Sequence, residues 1–217
     1  MIDWNKIDTI LLDMDGTLLD LNFDNHFWRE YVPHQYARKH NLDLQTAKDE
    51  LFPKFRSVEG TMNWYCVDYW TEQLGLDIAV LKQEIDHLIA VHPHVPEFLE
   101  QARAASKKLA LVTNAHMKSL SLKMDRTQLA GHFDYVICSH DYGMPKEVPE
   151  FWSKLKQIVP FENQCTLLID DSLPVLRSAK SFGIEHLLAV YKPDTQQPPK
   201  DVGEFRAINS FRDLLLM

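Results

Sequence analysis

Asp13 and Asp15 stand one residue apart in Asp13-Met14-Asp15-Gly16-Thr17, and Asp170 and Asp171 stand side by side much later in the chain. Carboxylates gathered at one place repel one another, and a hard cation among them removes that cost. No His or Cys accompanies them, and an all-oxygen set suits magnesium, which meets one or two carboxylates plus a substrate phosphate. Phosphoryl transfer then needs a nucleophile, charge neutralisation and a proton source for the leaving oxygen. A carboxylate can be that nucleophile by forming an aspartyl-phosphate. Asp13 is the candidate, and Asp15 is the candidate acid toward the leaving group and base for the hydrolytic water. Thr113 and Asn114 offer hydroxyl, amide and backbone donors to phosphate oxygens. Lys146 offers an ammonium that neutralises both the Asp13 carboxylate and the incoming phosphate.

The elements that must position these residues follow from hydrophobic periodicity. Residues 7–12 form a short aliphatic run ending at Asp13, the pattern of a strand buried on both faces of a parallel sheet. The pattern recurs at 109–112 ahead of Thr113 and at 166–169 ahead of Asp170. Further strands are expected at 133–138 and, as the last, at 186–190. Helices are expected at 96–107, 117–129, 149–158 and 173–182, with Gly183 as the final stop. Such alternation implies a parallel sheet with right-handed crossovers. Its ligand crevice lies outside the carboxyl ends of the strands, where three segments would deliver their polar residues.

Residues 23–90 differ in character. They are rich in aromatics and charges, show no strand pattern, and read as a helical insert. The expected stripes are Phe27, Tyr31 and His34; Ala47, Leu51 and Phe55; Tyr65, Tyr69 and Leu74; then Ile78, Leu81, Ile85 and Leu88. Residues 193–199 read as loop, and there are no internal repeats.

Together these segments resemble the haloacid dehalogenase superfamily. Leu11-Leu12-Asp13-Met14-Asp15-Gly16-Thr17-Leu18 is similar to its first motif, Leu111-Val112-Thr113-Asn114 to its second, Lys146 to its third and Leu168-Ile169-Asp170-Asp171-Ser172 to its fourth. The resemblance implies an α/β fold: a Rossmann-like core from residues 1–20 and 93–217, with a helical cap at 21–92 that selects the substrate. It implies Asp13 as nucleophile and Asp15 as acid/base. Magnesium would be held by Asp13, the Asp15 carbonyl and Asp171, with Asp170 close by. Dehalogenases of the superfamily lack the second acid, so Asp15 directs the expectation to phosphatases and phosphomutases. Glu147 departs from the proline that many members carry after the third-motif lysine, a change expected to alter helix entry alone. The stretch from Gly60 to Trp70, with Pro145-Lys146-Glu147, is similar to the bacterial GMP/IMP 5′-nucleotidase branch. Trp64 or Tyr65 would then stack on a purine base, and Asn63 would read its edge. Cap packing competes with that role for the aromatics. His26 and Arg29 are read as solvated helix residues, and His92-Pro93-His94 as a connector.

Composition narrows the partners. The net charge of -8 argues against sequence-independent nucleic-acid binding, which rests on Lys and Arg. Cys66, Cys138 and Cys165 are odd in number and form no C-x-x-C pair, so neither a disulfide framework nor a structural zinc site is expected, and buried thiols are. There is no signal-peptide pattern and no apolar run long enough to span a membrane, so a cytoplasmic setting is the default. The expectation is a magnesium-dependent phosphatase acting on a small phosphorylated metabolite, with a purine nucleotide foremost. A sugar phosphatase or phosphomutase is the first rival. A non-catalytic binding or regulatory protein on the same fold is the second.

Overall fold

A computed structural model describes residues 2–215. Six strands form one wholly parallel sheet: β1 (Thr9–Leu12), β2 (Lys108–Thr113), β3 (Tyr135–Cys138), β4 (Thr166–Ile169), β5 (His186–Val190) and β6 (Arg206–Ile208). Their order is β3-β2-β1-β4-β5-β6. Every residue of β1 and β4 is buried, which is why both read as unbroken apolar runs behind one threonine. The strand order reverses beside β1, so the crevice opens past the ends of β1 and β4.

Ten α-helices are described. Six fall between β1 and β2: α1 (Asn22–His26), α2 (Val32–His40), α3 (Leu44–Ser57), α4 (Met62–Tyr65), α5 (Val67–Leu74) and α6 (Ile78–Glu84). The others are α7 (Val95–Ala104), α8 (Met117–Thr127), α9 (Pro149–Ile158) and α10 (Leu173–Phe182). Alternate strand residues feed two cores. Ile10 and Leu12 pack with Phe98 of α7, Leu120 of α8 and the apolar residues of the helical insert. Leu11 packs on the other face with Trp152 of α9 and Leu176 of α10. The result is three layers, helix–sheet–helix. Helices α9 and α10 begin with proline near N1, and Gly183 ends α10 at φ 101°, a conformation that costs glycine little.

The chain enters and leaves the helical insert through adjacent segments. Asp20 N–H donates to Ala90 O at 2.9 Å and His92 N–H to Leu18 O at 2.9 Å, around an antiparallel bridge of Leu19 with Val91.

Several expectations are corrected. His186–Val190 is not the last strand, because β6 pairs beside it. The first expected stripe breaks: Phe27 is buried but His34 is exposed, and the buried positions continue as Val32 and Tyr36. A π-turn over Phe27–Tyr31 inserts one residue, with Val32 N–H reaching back to Phe27 O. Pro33 follows, and its ring would crowd a regular turn before it. In α5 the buried face is Val67, Trp70 and Leu74, and Tyr65 and Tyr69 are half-buried, because the helix restarts after Cys66. Cys138 is buried, but Cys66, in the break between α4 and α5, and Cys165, at the end of a 3-10 turn leading into β4, are only partly so.

Candidate active site

The site begins where β1 ends. Asp13 N–H continues the ladder by donating to Ile169 O at 3.1 Å, which fixes its backbone beside β4. Its buried carboxylate accepts from Lys146 Nζ at 2.5 Å. Lys146 is itself 2% exposed, and its ammonium also donates to Asp170 Oδ2 at 2.7 Å and Val112 O at 3.0 Å. Three acceptors match its three N–H groups, so this lysine is held without a free donor. Burial alone would lower its pKa, but the carboxylates of Asp13 and Asp170 outweigh that and raise it.

Asn114 holds Lys146 in place. Its side-chain oxygen accepts the Lys146 backbone N–H at 2.9 Å, and its amide nitrogen donates to Glu147 Oε2 at 2.9 Å. Thr113 Oγ1 accepts from Ala115 N–H at 3.0 Å, which leaves the hydroxyl proton for another acceptor.

Asp15 looks the other way. Its carboxylate accepts from Lys123 Nζ at 2.6 Å, and the same ammonium reaches Asp24 Oδ2 at 2.6 Å. Asp24 in turn accepts from Lys82 Nζ at 2.9 Å. The alternating chain Asp15–Lys123–Asp24–Lys82 crosses from the sheet side into the helical insert. Lys82 also lies over the rings of Phe23, at 4.9 Å, and Phe27, at 4.6 Å. Asp24, Lys82 and Lys123 are not singled out by the sequence motifs. One signal was available: Lys123 falls beside Leu120 and Met124 on the buried face of α8.

Asp171 lies against the turn after Asp15. Gly16 has φ +84°, and a Cβ there would come within 2.8 Å of the Asp171 carboxyl carbon, so both conformation and space favour glycine. Lys200 Nζ donates to Asp171 O at 2.7 Å and contacts Oδ2 at 3.1 Å. One oxygen from each of Asp13, Asp170 and Asp171 lies within 4.8 Å of the others, an all-oxygen group whose chemistry fits a hard divalent cation. The Asp15 carboxylate is not in that group.

Electrostatics agree with a site short of positive charge. Burial pushes Asp13 up to about 6 against the pull of Lys146, with Asp170 adding to the rise. Burial likewise takes Asp15 to about 6 against Lys123, and Asp171 to about 6 against Lys200. Asp24 behaves oppositely: burial raises it, but Lys123 and Lys82 together bring it down to about 2.

A cavity of about 790 Å³ joins these groups to the helical insert. Its far wall includes Trp28, Arg29, Phe52, Phe55, Arg56 and Trp64. Arg29 and His26 are both exposed, as expected of solvated helix residues, but Arg29 also lines the cavity and His26 does not. Trp64 and Tyr65 both line it as well. Tyr65 is tethered: its hydroxyl donates to Glu147 Oε1 at 2.6 Å. Burial first, then the Glu147 charge, raises the phenol pKa. Glu147 thus accepts from the insert through Tyr65 and from the β2 end through Asn114, a role beyond the expected change in helix entry. His92 contacts Pro193 O at 3.1 Å through Nε2, and His94 lies 3.9 Å from Glu97, so the two imidazoles have separate neighbours.

Comparison with known proteins places this geometry. Residues 7–183 match the family model of haloacid dehalogenase-like hydrolases. The chain is 39% identical over 214 residues to the GMP/IMP nucleotidase YrfG of Escherichia coli, covering 99% of this chain and 96% of that protein. It is 25% identical over 208 residues to the pyrophosphatase PpaX of Bacillus thuringiensis, covering 87% and 91%. Among solved structures, the HAD phosphatase of Thermococcus onnurineus superposes with TM-score 0.80 at 22% identity, covering 96% of each chain. The L-2-haloacid dehalogenase of Xanthobacter autotrophicus superposes with TM-score 0.63 at 16% identity, again over 96% of each. Parallel sheet, strand-end carboxylates and buried lysine therefore have a common origin: the chain belongs to the haloacid dehalogenase-like hydrolases.

Proposed function

We propose that the chain is a magnesium-dependent phosphatase that hydrolyses a purine nucleoside 5′-monophosphate, such as GMP or IMP, through an aspartyl-phosphate on Asp13. The observation that carries the reading is the pairing of two carboxylates with separate surroundings. Asp13 is clamped by Lys146 at 2.5 Å, and Asp15, two residues on, is clamped by Lys123 at 2.6 Å. One is set to attack and the other to move a proton.

Asp13 attacks phosphorus while Lys146 holds its carboxylate in place and offsets the phosphate charge. The Thr113 hydroxyl and nearby backbone N–H groups meet the phosphate oxygens. Asp15, held near 6 by burial, is substantially protonated just below neutrality and gives its proton to the leaving oxygen. It then takes a proton from the water that attacks the aspartyl-phosphate, which frees inorganic phosphate and restores Asp13. Asp13, Asp170 and Asp171, with the Asp15 carbonyl, would hold magnesium, which supplies Lewis-acid neutralisation of the phosphate oxygens. Residues 21–92 act as the cap over the core formed by 1–20 and 93–217, closing to exclude water.

The nucleotide reading is supported by identity to a GMP/IMP nucleotidase over nearly the whole chain, and by the cavity wall. Trp64, Phe52 and Phe55 offer flat faces for a base, and Arg29 and Arg56 offer donors to its edge. Trp64 is the better platform of the two expected aromatics, because the Tyr65 ring is fixed by its bond to Glu147. A phosphate-release screen over nucleotides and sugar phosphates, with magnesium and then with chelator, tests the reading. GMP and IMP should lead, and chelator should abolish release. Preference for a sugar phosphate would overturn the substrate, and undiminished turnover by Asp13→Asn would overturn the chemistry.

A further inference from the structure

Cys66, His116 and His140 take no part in the chemistry above. They come from distant places: Cys66 between α4 and α5, His116 ahead of α8, and His140 just past β3. Yet Sγ of the cysteine and one ring nitrogen from each histidine lie within 4.8 Å of one another. Packing explains part of this. Cys66 Sγ caps α5 by accepting Tyr69 N–H at 3.4 Å, and the two imidazoles meet edge to face with centroids 5.0 Å apart. Packing does not explain His140 Nε2, which is buried with no hydrogen-bond partner among the described residues. Native proteins seldom leave such an atom unmatched, and an ion or a water is what commonly satisfies it.

We propose that Cys66, His116 and His140 form a binding site for a borderline-soft divalent cation of the zinc type, made of other donors than the carboxylate group although His116 lines the same cavity. One thiolate and two imidazoles are the donors zinc prefers and magnesium does not. A tetrahedral ion with bonds of about 2.0–2.3 Å sets its ligand atoms about 3.3–3.6 Å apart, so donors within 4.8 Å of one another need close by no more than about 1.5 Å. Asp68 adds compensating charge, with Oδ2 at 3.7 Å from His116 Nε2. Two adjustments accompany binding. The Cys66 thiol proton leaves to solvent. His116, if it binds through Nε2, moves its proton to Nδ1 and gives up the 3.3 Å contact from Lys118 N–H.

The placement has a consequence. Cys66 belongs to the helical insert, whereas His116 and His140 belong to the sheet side. A bound ion would therefore tie the two together next to the Tyr65–Glu147–Asn114 contact. Slower turnover under zinc follows, and this consequence alone rests on the proposed reaction.

Cobalt(II) tests the site without reference to activity. It is titrated into the protein in excess magnesium, which keeps it off the carboxylates, and absorbance is recorded. The expected result is a thiolate-to-cobalt band in the near ultraviolet with strong tetrahedral bands in the visible, saturating at one equivalent and erased by zinc. Cys66→Ser, at a partly exposed position, should lose the thiolate band, and His140→Ala should weaken cobalt binding at least about tenfold. Absence of the band in the parent protein overturns the site. So does its persistence in Cys66→Ser, which would assign it to another thiol. Zinc should then slow phosphate release by the parent and not by Cys66→Ser. Equal zinc inhibition of both, or of neither, overturns the tie while leaving the cobalt result to stand by itself.

Discussion

Replacing Lys123 by methionine should expose how far the Asp15 side of the site depends on one buried cation. Lys123 is 1% exposed and reaches Asp15 and Asp24 at 2.6 Å each. At that distance and an effective dielectric near 20, each attraction is about 6 kcal/mol. Most of it offsets the cost of drying three charged groups. Methionine keeps the stem packing but removes the attraction, and leaves two carboxylates whose drying cost remains. Breaking a buried pair in this way costs about 3–5 kcal/mol. Asp15 is already held at about 6 with Lys123 present, so its pKa should rise further by at least about one unit without it. The sign follows. A carboxyl with a raised folded pKa favours the fold when protonated, so the deficit should be larger near pH 8 than near pH 5. Urea unfolding at both pH values measures it. The alkaline fall in kcat/KM, set by loss of the Asp15 proton, should move upward by a similar amount. A deficit below about 1 kcal/mol that is the same at both pH values would refute the reasoning, because the charge chain would then carry no net coupling.

Asp13→Asn should lower phosphate release by about three orders of magnitude or more while leaving thermal unfolding near the parent's or above it, since it removes a buried charge. In chelator, stability should fall as pH rises from about 4 through 6, because folded Asp13, Asp15 and Asp171 titrate near 6 and the unfolded groups near 4. Magnesium should restore the thermal midpoint at neutral pH and do little near pH 4.5. Tyr65→Phe removes a 2.6 Å bond to a carboxylate and should raise KM about tenfold with a smaller change in kcat, as initial rates on GMP would show. Gly16→Ala places a methyl within 2.8 Å of Asp171 at a positive φ, and should weaken magnesium activation at least about tenfold in a metal titration of activity.

The core was legible because buried parallel strands leave a plain trace. Thr166–Ile169, Pro149–Ile158 and Leu173–Phe182 match their expected limits, since each is bounded by polar residues, a proline or a glycine. β6 was not legible, because Arg206-Ala207-Ile208 is short and owes its strand to the free edge of β5. Lys82 and Lys123 are hidden for another reason. A lysine on an amphipathic helix reads as solvated, and only the fold brings Asp24 between the two. Glu147 reads locally as a helix-entry residue, while its partner Tyr65 comes from the other side of β2 in sequence. Contacts between distant segments have no periodicity to announce them.

The paired crossings at 18–20 and 90–92 bear on how the molecule folds. β1 must pair with β2 at Thr9 and Lys108, across nearly half the chain. If the intervening helices assemble first, the Leu19–Val91 bridge brings the two crossings together and shortens that path roughly threefold. The closure entropy of the central strand pair then falls by about 1 kcal/mol. Helical segments, with their local contacts, form faster than parallel pairings. The insert would therefore act as a scaffold for the sheet during folding, and variants that loosen it should slow refolding of the core even where its own contacts are untouched.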